Sequence, residues 1–146
     1  TAQPSVDKIL LAERTAGLNN FSTYTKFAER AKKIKRDLHA TLRSLADRGG
    51  RVAGYGAPAK GNTLLGFLDI GPELLPYIVD KSPLKQGLYT PGTHIPVVQP
   101  ERLLADQPDY VLLLAWNFVD EIVAQQAEYQ KRGGKFMVPV PEVRVL

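Results

Sequence analysis

The sequence predicts a Rossmann-like α/β domain: three α/β/α layers around a mainly parallel, five-stranded sheet, preceded by a long N-terminal helix. Three observations lead to this fold class. After residue 50, short apolar runs alternate with helical stretches, which is typical of βαβ units. A glycine-rich loop follows the first of these runs and opens a helix. Between residues 23 and 48, apolar side chains recur at steps of three and four, the spacing of an amphipathic helix.

The expected elements follow the chain in order. A lead-in helix at residues 6–13 precedes the long helix, which begins at Ser22 or Thr23 and is stopped by Gly49. We expect a lead-in segment at residues 1–22 and the Rossmann-like domain at residues 23–146. Strands are expected at residues 51–55, 75–80, 95–98, 110–115 and 135–138. Helices are expected at residues 59–68, 100–105 and 118–132, and a long loop at residues 82–93.

The composition is that of one globular domain. The chain has 146 residues, of which 44% are hydrophobic and 23% charged. It contains no cysteine, which excludes disulfides and thiolate zinc sites. The longest apolar run, residues 110–116, is too short to cross a bilayer, and the first residues lack the apolar stretch of a signal peptide. We therefore expect a cytoplasmic fragment of a longer protein, with no membrane partner and with no metal or cofactor held by this chain.

The basic charge of the chain does not indicate nucleic-acid binding. The net charge is +4 and the isoelectric point is near 9.4. The basic residues concentrate at residues 26–48, where Glu29, Asp37 and Asp47 interleave with them. This pattern is more typical of a solvated helix face, so we expect no nucleic-acid partner.

A glycine pattern, Gly54-x-Gly56-x-x-Ala59, lies between the first expected strand and the next helix. In dinucleotide-binding folds the first glycine makes a tight turn, the second lets the backbone approach a pyrophosphate, and the small third residue lets helix and strand pack closely. Pro58 is tolerated in the first helical turn, where its missing N–H would be unpaired anyway. The helix-start N–H groups then predict an anion site.

Two charged residues strengthen this prediction. Asp80 ends the next expected strand, where such folds place an acid on a ribose hydroxyl, and Lys60 adds a cation beside the loop. The alternative is a tight turn without a ligand and an aspartate that only caps a loop. A nucleotide-hydrolysing P-loop is excluded because Asn62 and Thr63 follow Gly61 where lysine and then serine or threonine are needed.

Trp116 and Asn117 follow the most apolar expected strand. Asn117 with Asp120 predicts a helix cap, and a ligand contact by Asn117 is equally open. Trp116 is either part of the core or a platform for a sugar or base. Glu121 is expected in the first turn of the helix, and His94 lies in a proline-flanked surface loop.

Four spaced motifs resemble one known family. They are Gly54 to Leu65, Asp80-x-x-Pro83-x-Lys85-x-Gly87, Pro91 to Val97, and Leu114 to Asn117 with Glu121-Ile122. Together they closely resemble the C-terminal domain of S-adenosylmethionine-dependent C-methyltransferases, a family that includes deoxysugar 3-C-methyltransferases acting on nucleotide-linked keto-sugars. The resemblance extends from the lead-in helix to Pro141.

The resemblance implies a division of labour. A zinc-binding domain and a methyl-donor domain would precede this one, and the catalytic acid and base would lie mainly in the methyl-donor domain. This chain would help to hold the nucleotide-sugar, would contain no catalytic residue, and would be inactive alone. The reaction implied is enolisation of a ketone by a base, followed by attack of the carbanion on the donor methyl group.

Fold position and motif match together give the expected substrate-binding residues. These are Gly54, Tyr55, Gly56, Ala57, Pro58, Lys60, Gly61, Asn62, Asp80, Lys85, His94, Trp116 and Asn117. The same glycines and Asp80 leave two other classes open: a nicotinamide-dependent oxidoreductase or ligand-sensing Rossmann module, and an interaction domain with an empty loop.

We expect the isolated chain not to bind S-adenosylmethionine. Loops that bind this donor resemble one another in having an acidic residue two positions before the first glycine, and Val52 stands there. Isothermal titration calorimetry of the chain with the donor should show no heat of binding. Tight binding to the chain would contradict the prediction.

Overall fold

The computed structural model describes residues 3–146. It contains two compact units, the first ending at Lys33 and the second comprising residues 34–146. The boundary between them falls within one long helix. The domain boundary expected at residue 22 stays a prediction.

The first unit consists of helix α1, Pro4–Thr15, and the beginning of helix α2, Phe21–Asp47. Pro4 occupies the first turn of α1, where a missing N–H costs nothing. After α1 the chain turns at Gly17, which has a positive φ of 69°. Thr23 donates a hydrogen bond of 2.7 Å to the Gly17 carbonyl, and the Tyr24 hydroxyl donates to the Leu18 carbonyl. These bonds join the start of α2 to the turn.

The second unit is built on a six-stranded sheet with the order β3-β2-β1-β4-β5-β6. The strands are β1 Val52–Tyr55, β2 Ile78–Val79, β3 Val97–Val98, β4 Tyr110–Leu113, β5 Lys135–Val138 and β6 Arg144–Val145. The first five are parallel and β6 runs antiparallel to β5. Because the strand order reverses between β1 and β4, the carboxyl ends of these two strands form the switch point at which such sheets bind ligands.

Helices cover both faces of the sheet. They are α3 Ala59–Leu68, α4 Glu101–Asp106, α5 Val119–Gln125 and α6 Ala127–Lys131, with a 3-10 turn at Trp116–Phe118 before α5. One core packs the end of α2 and α3 against side chains such as Leu112. The other packs α4, α5 and α6 against alternate side chains such as Val111. Both faces of the strands are therefore buried, and the predicted three-layer fold is confirmed.

The structure differs from the expected elements at several places. Residues 95–96 lie outside β3, residues 114–115 lie outside β4, and Asp80 follows β2 instead of ending it. A sixth strand was missed, because Arg144 and Val145 are too short a run to show alternation. The expected helix at residues 118–132 is broken at Gln126, whose φ of −105° and ψ of 28° are not helical. Strand β2 is confined to two residues, so residues 75–77 lie outside it.

Gly134 provides a test of packing between α6 and β5. A Cβ at this position would lie 2.1–2.5 Å from ring atoms of Tyr129, which is fully buried and donates a hydrogen bond of 2.9 Å to the Pro108 carbonyl. We expect Gly134→Ala to reduce the free energy of unfolding by about 2–3 kcal/mol, the upper range for overpacking. Gly66→Ala is the control, because its Cβ would meet nothing within 4 Å in α3. That variant should gain about 0.5–1 kcal/mol, and equal urea midpoints for the two variants would contradict this account.

Candidate functional site

The loop between β1 and α3 turns at Gly56, not at Gly54. Gly56 has a φ of 81°, and a Cβ there would lie 2.9 Å from the Ala115 Cβ. Gly54 instead lies inside β1, where a Cβ would be 2.7 Å from the Ile78 Cγ1. The expected turn role of Gly54 was therefore wrong, because the strand extends one residue beyond it. A side chain at Gly56 would be strained as well as crowded.

The close approach of α3 to the sheet occurs at Gly61 rather than at Ala59. A Cβ on Gly61 would lie 3.0 Å from the Leu114 Cβ and 3.2 Å from the Pro58 Cδ. Ala59 is exposed, so its expected packing role was wrong. The reason is that Ala59 begins the helix, and the first position facing the sheet comes two residues later.

The start of α3 presents N–H groups that no acceptor in residues 3–146 takes up. Pro58 is the N-cap residue and offers no side-chain cap. The first backbone bond of the helix runs from the Asn62 N–H to the Pro58 carbonyl at 3.1 Å. The N–H groups of Ala59, Lys60 and Gly61 thus stay available, as is general for helix starts. With the helix dipole they can bind an anion at the carboxyl end of β1.

Asp80 holds the loop from the neighbouring strand. Its side chain is buried, and its carboxylate accepts hydrogen bonds from the N–H of Ala57 at 2.7 Å, from the N–H of Ser82 at 2.8 Å and from the Lys85 Nζ at 3.1 Å. Burial acts to raise the pKa of Asp80, but these hydrogen bonds outweigh it and lower the pKa below its ordinary value. The carboxylate is ionised and largely satisfied, which favours the loop-capping alternative; its contact with a ribose stays a prediction.

Lys60 and Trp116 meet across the switch point. The Lys60 Nζ lies 4.4 Å from the centroid of the Trp116 ring, within cation–π range. Trp116 is partly buried and packs against the core formed by α4, α5 and α6. Trp116 therefore contacts the core and also has a ring face that contacts Lys60, so it combines features of both expected roles.

Asn117 does not cap the following helix. Phe118 takes the N-cap position of α5 and no side chain caps the helix, because the 3-10 turn moves the helix start to Val119. The expected cap was wrong, and Asn117 is exposed beside the cleft. Glu121 does lie in the first turn of α5, as expected.

Two cavities flank the Asp80 link at the carboxyl ends of the strands. The first, of about 210 Å³, lies on the α5 side and is lined by Tyr55, Gly56, Asp80, Lys81, Ala115, Phe118, Glu121, Ile122 and Gln125. The second, of about 230 Å³, lies on the α3 side and is lined by Ala57, Asn62, Lys85, Leu88, Tyr89, Thr90, Pro91 and Val97. Asn62, which lines the second cavity, has a buried Oδ1 without a hydrogen-bond partner among the described residues.

The structure brings most of the expected site residues to the carboxyl ends of β1, β2 and β4, but no side-chain hydrogen bond, ion pair or ring contact joins His94 or Asn117 to the site among the described residues. His94 is exposed, has a φ of 55°, and lines neither of these cavities. Sequence reasoning missed Lys81 and Gln125, whose side chains hydrogen-bond across the first cavity. Lys81 directly follows Asp80, so the carboxyl end of β2 could have indicated it, whereas Gln125 carries no comparable signal.

Residues 3–146 contain neither a metal-binding cluster nor a membrane-spanning helix. No group of three histidine, cysteine, aspartate or glutamate side chains in this range could hold a metal ion. No helix in it is both long and apolar enough to cross a membrane. The expected cytoplasmic location stays a prediction.

Comparison with known protein families shows to which family the chain belongs. The model of the C-methyltransferase C-terminal domain matches residues 1–141. The chain belongs to this family. The resemblance drawn from the four motifs is thereby confirmed.

Two similar proteins place the chain in context. It is 40% identical over 144 residues to the C-methyltransferase NovU of Streptomyces niveus, covering 99% of this chain but 34% of that protein. The chain thus spans about a third of the length of this curated relative. A UDP-D-quinovosamine 4-dehydrogenase from Vibrio fischeri is 20% identical, with a TM-score of 0.44 over 64% of this chain and 79% of that one. A structural likeness this distant says nothing about function.

Asp80→Asn tests the link between the two strand ends. Losing charged hydrogen bonds at a buried site should lower the free energy of unfolding at pH 7 by about 1–3 kcal/mol. Because the folded-state pKa of Asp80 is lowered, its contribution is present above the pKa of the unfolded carboxyl group and is lost as the pH falls through the folded value.

The difference between wild type and Asp80→Asn, measured by urea unfolding, should therefore shrink as the pH is lowered from 7 through the carboxyl range. Asp69→Asn is a matched control, because Asp69 is exposed and its left-handed conformation also suits asparagine. A difference that stays constant with pH would show that charge on Asp80 is unimportant.

Proposed function

We propose that this chain is the substrate-holding domain of an S-adenosylmethionine-dependent C-methyltransferase, and that it binds the diphosphate of a nucleotide-linked keto-sugar. The observation that carries this proposal is the start of α3. Three N–H groups without acceptors in the described chain lie there beside the Lys60 ammonium, at the switch point of the sheet. A diphosphate supplies the negative charge and the acceptor oxygens that this arrangement lacks.

The two cavities suit the remaining parts of such a substrate. The cavity on the α5 side has aromatic and apolar walls with Glu121 and Lys81 at its edge, and Trp116 presents a ring nearby. The cavity on the α3 side is lined by Asn62, whose buried and unpartnered Oδ1 would accept a hydrogen bond from a base or a sugar hydroxyl after a rotation of the side chain. A diphosphate at the α3 start would lie between them, so nucleoside and sugar would extend to opposite sides of the Asp80 link.

The residues of this chain do not fit the methyl donor. Val52 is only 5% exposed and packs in the core, where donor-binding loops would have an acid. We therefore assign S-adenosylmethionine, and the base that enolises the ketone, to another part of the same protein. The task left to this chain is to bind and orient the substrate so that the reacting carbon faces that part. We expect this to occur in the cytoplasm, without nucleic acid or membrane as a partner.

The same site argues against a nicotinamide-dependent oxidoreductase. In that class the acid after the second strand binds the ribose, but Asp80 is already engaged by Ala57, Ser82 and Lys85. A competing titration with NADH decides between the two classes. NADH binding more tightly than thymidine diphosphate would favour the oxidoreductase.

Lys60→Ala tests the diphosphate site directly. Loss of a charge-assisted hydrogen bond should weaken the binding of thymidine diphosphate by about 1–3 kcal/mol, with the larger effect at low salt. Trp116 is the only tryptophan in the sequence, so its fluorescence reports binding at the same place.

Lys135→Ala is the matched control. Its Nζ also lies over an aromatic ring, 5.6 Å from the Tyr110 centroid. Lys135, however, is the first residue of β5 and so lies at the amino ends of the parallel strands, away from the site at their carboxyl ends. That variant should bind thymidine diphosphate like wild type. Equal affinities of Lys60→Ala and wild type at low salt would remove Lys60 from the site.

A further inference from the structure

The first unit contains eight of the fifteen exposed large hydrophobic side chains found among residues 3–146. Eight of its large hydrophobic side chains have exposed fractions of 41–86%: Val6, Ile9, Leu10, Leu11, Leu18, Phe21, Tyr24 and Phe27. We call these eight residues the apolar helical face. Single exposed hydrophobic residues are ordinary, but a concentration of this kind marks an interaction surface.

The sequence spacing places six of these eight side chains in two stripes, whereas Leu11 lies on another side of α1 and Leu18 lies in the turn between the helices. In α1, Ile9 and Leu10 follow Val6 at steps of three and four, and in α2 Phe21, Tyr24 and Phe27 follow one another at steps of three. Residues spaced in this way lie on one side of a helix. None of the described residues of α1 is buried. A helix of 12 residues is marginal in water by itself, so α1 needs a partner that covers it.

A concave point lies between the two helices of this unit. A cavity of about 290 Å³ is lined by Leu10, Glu13, Arg14, Leu18, Asn19 and Tyr24. Three of these residues belong to the apolar helical face, while Glu13, Arg14 and Asn19 supply polar groups. A cavity lined by both apolar and polar groups can take up a side chain of a partner, which would then serve as the anchor of the interface.

We propose that the apolar helical face is the docking surface for the part of the same polypeptide that precedes this domain. The family is that of a C-terminal domain, and the chain matches only 34% of its curated relative, so most of such a protein lies outside this domain. The face is confined to residues 6–27, at the N-terminal end of the region that matches a family described as a C-terminal domain. A tethered partner has a high effective concentration there, so a modest surface suffices to hold it.

The charge of the first unit indicates the chemistry of the surface that docks on the apolar helical face. Up to residue 33 the sequence has six basic and three acidic side chains. The Arg30 guanidinium lies 6.0 Å from the centroid of the Phe27 ring, at the edge of the apolar helical face. The complementary surface is therefore apolar at its centre and acidic at its rim. Docking in this way fixes the substrate-holding unit to the methyl-donor part, on which the proposed function depends, but its test does not depend on nucleotide binding.

The test compares amide hydrogen exchange of α1 in the complete polypeptide and in this chain alone. Docking should slow exchange of α1 by at least about tenfold in the complete polypeptide, which corresponds to about 1.4 kcal/mol. The double variant Ile9→Ala with Phe27→Ala should remove this protection while keeping the helices, because both side chains are more than half exposed and alanine favours helix. Leu84→Ala is the control, since Leu84 is 85% exposed and lies outside the apolar helical face.

Two results would overturn the proposal. Equal exchange of α1 in the complete polypeptide and in the isolated chain would show that nothing covers the face. Sedimentation that shows a dimer of the complete polypeptide, with both dimer and protection lost in the double variant, would assign the face to a second copy. Thymidine diphosphate binding, measured by isothermal titration calorimetry in the same samples, reports failure of the proposed function separately.

Discussion

The carboxylate of Asp80 is the interaction on which the site depends. It joins the end of β2 to the loop after β1, through the Ala57 N–H, and fixes the following loop through Ser82 and Lys85. Without it, the buried Ala57 N–H and the Lys85 ammonium would lose their acceptor. The position of the loop sets the direction in which α3 begins, so the free N–H groups of that helix are aimed by an aspartate that need not touch a ligand. A residue at the expected ribose position can thus determine binding indirectly.

The Lys60 ammonium occupies an unusual place for a cation. A positive charge at a helix start opposes the helix dipole, and no acidic side chain lies in the first turn of α3. In the structure the Trp116 ring face partly compensates, at 4.4 Å from the Nζ. A bound diphosphate would compensate more strongly, because it carries full negative charge and faces the same N–H groups. The contact between Lys60 and Trp116 joins the start of α3 to the turn after β4, across the switch point.

The two units of the chain differ in how their apolar residues are satisfied. In residues 34–146 the sheet buries side chains on both faces, with Leu112 directed to one core and Val111 to the other. The described part of α1, by contrast, buries no residue. The second unit therefore contains its own hydrophobic driving force for folding.

The sequence by itself determined the fold class, five of the six strands, the long helix and the family. This is because hydrophobic periodicity and the positions of glycine and proline indicate local conformation, and spaced motifs indicate the family. Only the tertiary structure decided the structural role of each glycine in the loop. Gly54, Gly56 and Gly61 look alike in sequence, but their roles depend on how closely Ile78, Ala115 and Leu114 approach them from other elements. The same holds for Asp80, whose carboxylate is taken up by groups that become its neighbours only when β1 and β2 pair.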